Sequence, residues 1–167
     1  MKRRILQFLA TFALLIATTP TGNPQSAWMT YTNEAHGYSL RVPVGMQVSH
    51  RAADGSGITW QTGTVRIQVA GSSNPYHIKP QEYVDRVRRA AGTGLVELRQ
   101  GSNKTTAGHW IEALYTKDGR RVHQRTAIGP EAIQSVEFSY AYRFRKEKES
   151  VGKRVIESFT PGYLGSP

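Results

Sequence analysis

The stretch EAHGYSLRVPVGM, residues 34–46, decides the reading of the fold. A turn, NEAHG (33–37), leads into Tyr38, Leu40, Val42 and Val44, which alternate with Ser39, Arg41 and Pro43. Period two over such a run predicts a strand with one buried face. Pro43 and Gly45 then break it. Upstream, WMTYT (28–32) reads as a first strand. Downstream, AADGSG (52–57) is a turn cluster, and ITWQT and TVRIQVAG read as two strands around Gly63. Val65, Ile67 and Val69 point one way there, and Thr64, Arg66 and Gln68 the other.

SSNPYHIK (72–79) reads as a loop. Pro80 then opens a helix, PQEYVDRVRRAAG, at the position where proline is tolerated. Tyr83, Val84, Val87, Ala90 and Ala91 are expected on its buried face, and Gly92 ends it. Leu95–Arg99 predicts a strand, and GSNKT (101–105) a turn or exposed edge. HWIEALYTKDGRRVHQRTAI carries a hairpin signal, with Asp118-Gly119 as a two-residue turn. IQSVEFSYAY (133–142) is a further strand, with Val136, Phe138, Tyr140 and Tyr142 on one face. RFRKEKESVGKRVIESF (143–159) predicts the last helix, with Phe144, Val151, Val155, Ile156 and Phe159 towards the core. Antiparallel hairpins with helices laid against them make an α+β sandwich.

This layout resembles the PsbP-like family, which includes the DcrB-type bacterial envelope proteins and the Mog-type proteins. Members often open with a Gly-aromatic-Ser-hydrophobic strand running into Pro and Gly, as Gly37, Tyr38, Ser39, Leu40, Pro43 and Gly45 do here. They often close with a helix ending Ser-Phe, matched by Ser158-Phe159. Met46 stands where an aromatic is common, a mild departure. The resemblance spans about residues 28–160 and implies an antiparallel β-sheet flanked by α-helices. It rests on turn and core residues with no catalytic signature, and it implies accessory or protein-binding roles rather than one activity.

The first 27 residues read apart from this domain. MKRR is basic, and ILQFLATFALLIA (5–17) is apolar but shorter than the roughly 20 residues of a spanning helix. That layout predicts a secretory signal peptide over residues 1–27, an exported domain over 28–160, and a short C-terminal tail over 161–167. An uncleaved anchor is the alternative. The chain carries 22 Lys and Arg against 12 Asp and Glu, a formal charge of +10, which favours anionic partners or simply solubility. Removing the leader takes away Lys2, Arg3 and Arg4 and no acid, so part of the basicity is an export signal. The chain has no cysteine, which excludes disulfides, thiol nucleophiles and thiolate metal sites.

The sequence carries no motif for common chemistry. His36, His50, His77, His109 and His123 are scattered, without zinc spacing. Gly-x-Ser-x-Gly, phosphate-loop and dinucleotide motifs are absent. No catalytic residue, metal or cofactor is therefore expected. In the helices, Glu82 with Arg86, Asp85 with Arg89, and Glu149 with Lys153 stand four apart, acid first, so the basic runs read as solvated faces. At the hairpin, Lys117 should face Arg120, Thr116 face Arg121, and Glu112 face and neutralise Arg125. Lys117, Arg120 and Arg121 then cluster at the tip with only Asp118 nearby, the candidate contact site for an anionic partner; an ordinary charged turn is the plainer alternative. The strand aromatics read as core, and export argues against nucleic acid. The expectation is a non-enzymatic periplasmic or secreted accessory protein that binds an envelope protein or anionic surface. A small-molecule carrier with a pocket between sheet and helix, and a hydrolase with an unfamiliar site, are the alternatives.

Overall fold

The computed structural model describes residues 27–103 and 108–165. The expected leader lies, but for Ala27, outside the described residues.

β1 (Trp28–Asn33) and β2 (Tyr38–Pro43) pair as an antiparallel hairpin apart from the main sheet. Seven antiparallel strands form that sheet: β3 (Gln47–Arg51), β4 (Gly57–Thr62), β5 (Val65–Ser73), β6 (Leu95–Asn103), β7 (Gly108–Lys117), β8 (Arg120–Ile128) and β9 (Ala132–Ala141). Their spatial order is β3-β4-β5-β9-β8-β7-β6. Two helices, α1 (Pro80–Ala91) and α2 (Arg145–Glu157), cover opposite faces.

One face packs under β2 and α2. Tyr38, Leu40 and Val42 meet Ile58, Trp60, Ile67, Val69, Val136, Phe138 and Tyr140, closed by Val155, Ile156 and Phe159. The period-two expectation thus holds for β2, up to Pro43. Val44 departs from it and is 57% exposed, because the strand ends and Gly45, at φ +92°, turns the chain. α2 comes close because residue 152 is glycine: a Cβ there would meet the Phe138 ring at 2.7 Å. Leu164 also joins this core, although it lies in the segment read as a tail.

α1 packs on the other face. Val84, Val87 and Ala91 sit against Ile111, Ala113, Tyr115, Val122 and Ile128. Ala90 is exposed, a quarter-turn off the buried stripe.

Several boundaries differ from expectation. β3 carries no sequence signal because all five of its residues are exposed, so nothing selects an alternation. β6 runs on through Gly101–Asn103, and the rest of the expected GSNKT turn falls outside the described residues. Tyr142 leaves the face of β9: the chain enters a 3-10 turn, Tyr142–Phe144, and the ring is 39% exposed.

Candidate functional site

The hairpin between β7 and β8 forms as expected. Asp118 and Gly119 occupy φ +49° and +71°, the left-handed pair that matches strand twist. Lys117 pairs with Arg120, Thr116 with Arg121, and Glu112 with Arg125. The expected cluster of three solvent-facing cations does not form, however. Successive strand residues point to opposite faces, so Arg120 and Arg121 part company. Arg120 donates from Nη2 to the Thr64 carbonyl at 3.0 Å and to Ser139 Oγ at 3.1 Å. Arg121 turns under α2 and is 8% exposed. It donates to Thr116 Oγ1 at 3.2 Å and to Glu149 Oε1 at 3.4 Å. Of the three, only Lys117 is exposed. Arg121 acts as a clamp between β8 and α2. Beside it, Tyr140 has its hydroxyl pKa raised, chiefly by burial and next by Glu149, with Arg121 pulling the other way.

A different set of cations stands at the start of α2, at the same end of the sheet as Lys117. The Tyr142 amide donates to the Gly119 carbonyl at 2.8 Å, which pins the 3-10 turn to the hairpin tip. Arg143 lies over the Phe144 ring at 4.9 Å. Arg145 donates to the Tyr142 hydroxyl at 2.8 Å and lies over that ring at 5.4 Å. Both stay exposed, as does Lys146. Arg145, Lys146 and Lys148 fill the first turn of α2 with Glu147 the one acid among them, and Phe144 supplies no side-chain cap. A helix start carries partial positive charge and favours acids, so these cations sit against the dipole. Among the described residues, none of Lys117, Arg143, Arg145, Lys146 or Lys148 has a carboxylate partner. The run RFRKEK held the signal: cations where a helix start prefers acids.

The same end carries apolar surface. Pro43, Val44 and Met46 border a crevice of about 280 Å³ against Val65, Phe138 and Val151, with Lys148 in its wall. The Val44 amide donates to the Ala27 carbonyl at 2.7 Å, so the chain enters the domain beside this loop.

The helix-surface pairs also regroup. Asp85 reaches Arg88 at 3.7 Å, and Lys153 reaches Glu157 at 3.7 Å, because Glu149 is engaged by Arg121. Arg125 lies over Trp110 at 5.3 Å, while Glu112 bonds His123 Nε2 at 3.1 Å. That hydrogen bond is the main cause of the lowered Glu112 pKa, with Arg125 and Arg99 adding smaller attractions. Ser150 lines the same cleft, of about 320 Å³. Among the described residues no hydrogen bond joins Ser150 to His123, and an unactivated serine is a weak nucleophile.

At the opposite end, a cleft of about 480 Å³ opens between the start of α1 and β6–β7, lined by Lys79, Gln81, Gln100, Ser102 and His109. A neighbouring cleft of about 290 Å³ continues it past His77 and Pro130. Among the described residues, no group of three His, Asp or Glu is placed to hold a metal ion. No helix among them is long and apolar enough to cross a membrane.

These features define a class: the fold is PsbP-like, an α+β sandwich of an antiparallel sheet between helices. The chain is similar to the solution structure of the cyanobacterial PsbP protein, CyanoP, of Synechocystis sp. PCC 6803. That match has a TM-score of 0.59 at 13% identity, over 88% of this chain and 98% of that one. It is also similar to the crystal structure of LpqN, involved in cell envelope biogenesis of Mycobacterium tuberculosis. There the TM-score is 0.50 at 13% identity, over 81% of this chain and 91% of that one. No protein-family profile matches the sequence, and no curated protein matches it.

Proposed function

We propose that this protein is an exported, non-catalytic accessory domain of the cell envelope that contacts an anionic surface through its basic end. One observation carries the reading. Arg145, Lys146 and Lys148 stand at the positive end of α2, directly after Arg143 and at the same end of the sheet as Lys117, with no carboxylate partner among the described residues. Like charges gathered against a helix dipole cost stability, and a bound anion relieves that cost. LpqN, a structure of the same fold, is described as involved in envelope biogenesis, which agrees with such a setting. The apolar run at 5–17 supports export.

Retention on a heparin column tests the charge reading. The Arg143→Glu, Arg145→Glu, Lys146→Glu variant should elute at much lower salt than wild type. Arg51→Glu with Lys79→Glu, at the opposite end, should elute close to wild type. Equal shifts would mean that only bulk charge matters, and an unretained wild type at low salt would end the reading.

A second reading, a small-molecule carrier, is favoured by the two adjoining clefts at the start of α1. They have the concave form of a ligand site, with polar groups in the wall.

A further inference from the structure

We infer that the anionic surface is a lipid bilayer, and that the basic end sits on it with the Val44–Met46 loop entering the headgroup region. This rests on the reading of the basic end given above and names its partner.

Topology gathers the parts. The Arg120 guanidinium reaches the Thr64 carbonyl, which brings the β4–β5 turn to the hairpin tip. The Tyr142 amide brings the start of α2 to the same tip. The crevice brings Pro43–Met46 and Thr62 against Lys148 and Val151. One end of the sandwich therefore presents an apolar loop with cations on its flank. A scattered exposed valine needs no explanation. Val44 is different because it stands beside an open apolar crevice with an unpaired lysine in the wall. A membrane interface takes both components at once: apolar groups enter the acyl boundary while cations pair with anionic headgroups. An acidic protein surface would match the cations and leave the valine loop unmatched.

Chain connectivity points the same way. Ala27 is hydrogen-bonded to Val44, so the apolar run 5–17 is joined to the domain at this end. Residues 18–27 reach about 33 Å at full extension. Whenever that run lies in a bilayer, the basic end is held within this reach of it. The nine-residue β5 separates it by about 30 Å from the loop that carries Tyr76.

Because the chain has no cysteine, single labels can be placed cleanly. Val44→Cys and Tyr76→Cys, at positions 57% and 86% exposed, each carry an environment-sensitive nitrobenzoxadiazole dye on the full chain. The vesicles are phosphatidylcholine with or without phosphatidylglycerol, and bromine-labelled acyl chains serve as quenchers. The label at 44 should brighten and be quenched only when phosphatidylglycerol is present, and the label at 76 should stay in water. Each of Arg143, Arg145 and Lys146 changed to alanine should weaken the partition about fivefold. Equal burial of the 44 label on pure phosphatidylcholine would mean that the apolar run alone docks the chain, which overturns the inference. So would equal burial of both labels. A label at 44 that stays in water while heparin still retains the protein would also overturn the lipid assignment, in favour of an acidic protein or polysaccharide, and leave the charge reading standing. Loss of both would remove the charge reading itself.

Discussion

At one end of the sheet, Asn33, Asn74 and Gln134 are buried and each ties a loop down. At the other, Lys117, Arg143, Arg145 and Lys146 stand in solvent. Asn33 donates to the Gly55 carbonyl at 2.8 Å and accepts from the His36 amide at 3.0 Å. Gln134 donates to the His36 carbonyl at 2.6 Å and accepts from the Gly162 amide at 2.8 Å. Asn74 donates to the Gly129 carbonyl at 2.9 Å and accepts from the Ile78 amide at 2.9 Å. Buried amides of this kind satisfy loop backbone that has no strand partner, so that end is organised for stability. The basic end has the reverse character. Its cations are exposed, and Arg145 and Lys146 lie against a helix dipole, an arrangement that stability alone disfavours. The contrast separates the part that holds the fold from the part available for contact.

The largest effect should come from the tied end. Asn74→Ala removes a 2% exposed side chain and strands the Ile78 amide and Gly129 carbonyl. A loss of about 3 kcal/mol in urea unfolding is expected, with heparin retention unchanged. A loss under about 0.5 kcal/mol, the range of ordinary surface changes, would show that the loop does not depend on it.

A smaller effect concerns the middle of the sheet. Glu112 has a folded pKa below its ordinary 4.5. Its contribution is therefore full above pH 4.5 and lost as pH falls through the depressed value. Glu112→Gln should cost about 1 kcal/mol at neutral pH, and the gap from wild type should close in acid. A gap that widens on acidification would reverse the assigned sign.

The smallest effect has the most telling sign. Arg145→Glu should stabilise the fold by about 0.5 kcal/mol, because it places an acid in the first turn of α2, while weakening heparin retention. Destabilisation would mean that Arg145 belongs to the structure, through Tyr142, rather than to the open end.

Much of this was legible before the structure. Asp118-Gly119 sets the hairpin register outright, and the alternation at Tyr38, Leu40 and Val42 names the buried face. The separation of Arg120 from Arg121 follows from the same period-two rule, applied past the turn. The partner of Arg121 was not legible, since Glu149 lies on another element 28 residues away. Nor was β3, whose residues face solvent and leave no pattern. The proposed site lies at the start of α2 rather than at the hairpin alone, and the hydrogen bond between Tyr142 and Gly119 joins two segments that no local rule relates.

The contrast between the ends is tested most directly by nuclear magnetic resonance, titrating the isotope-labelled protein with a short heparin oligosaccharide. Amide shifts should concentrate at residues 117–120 and 142–148 and leave 74–80 and 129–131 still. Shifts centred on 74–80 and 129–131 would place the contact at the clefts beside α1 and contradict the account.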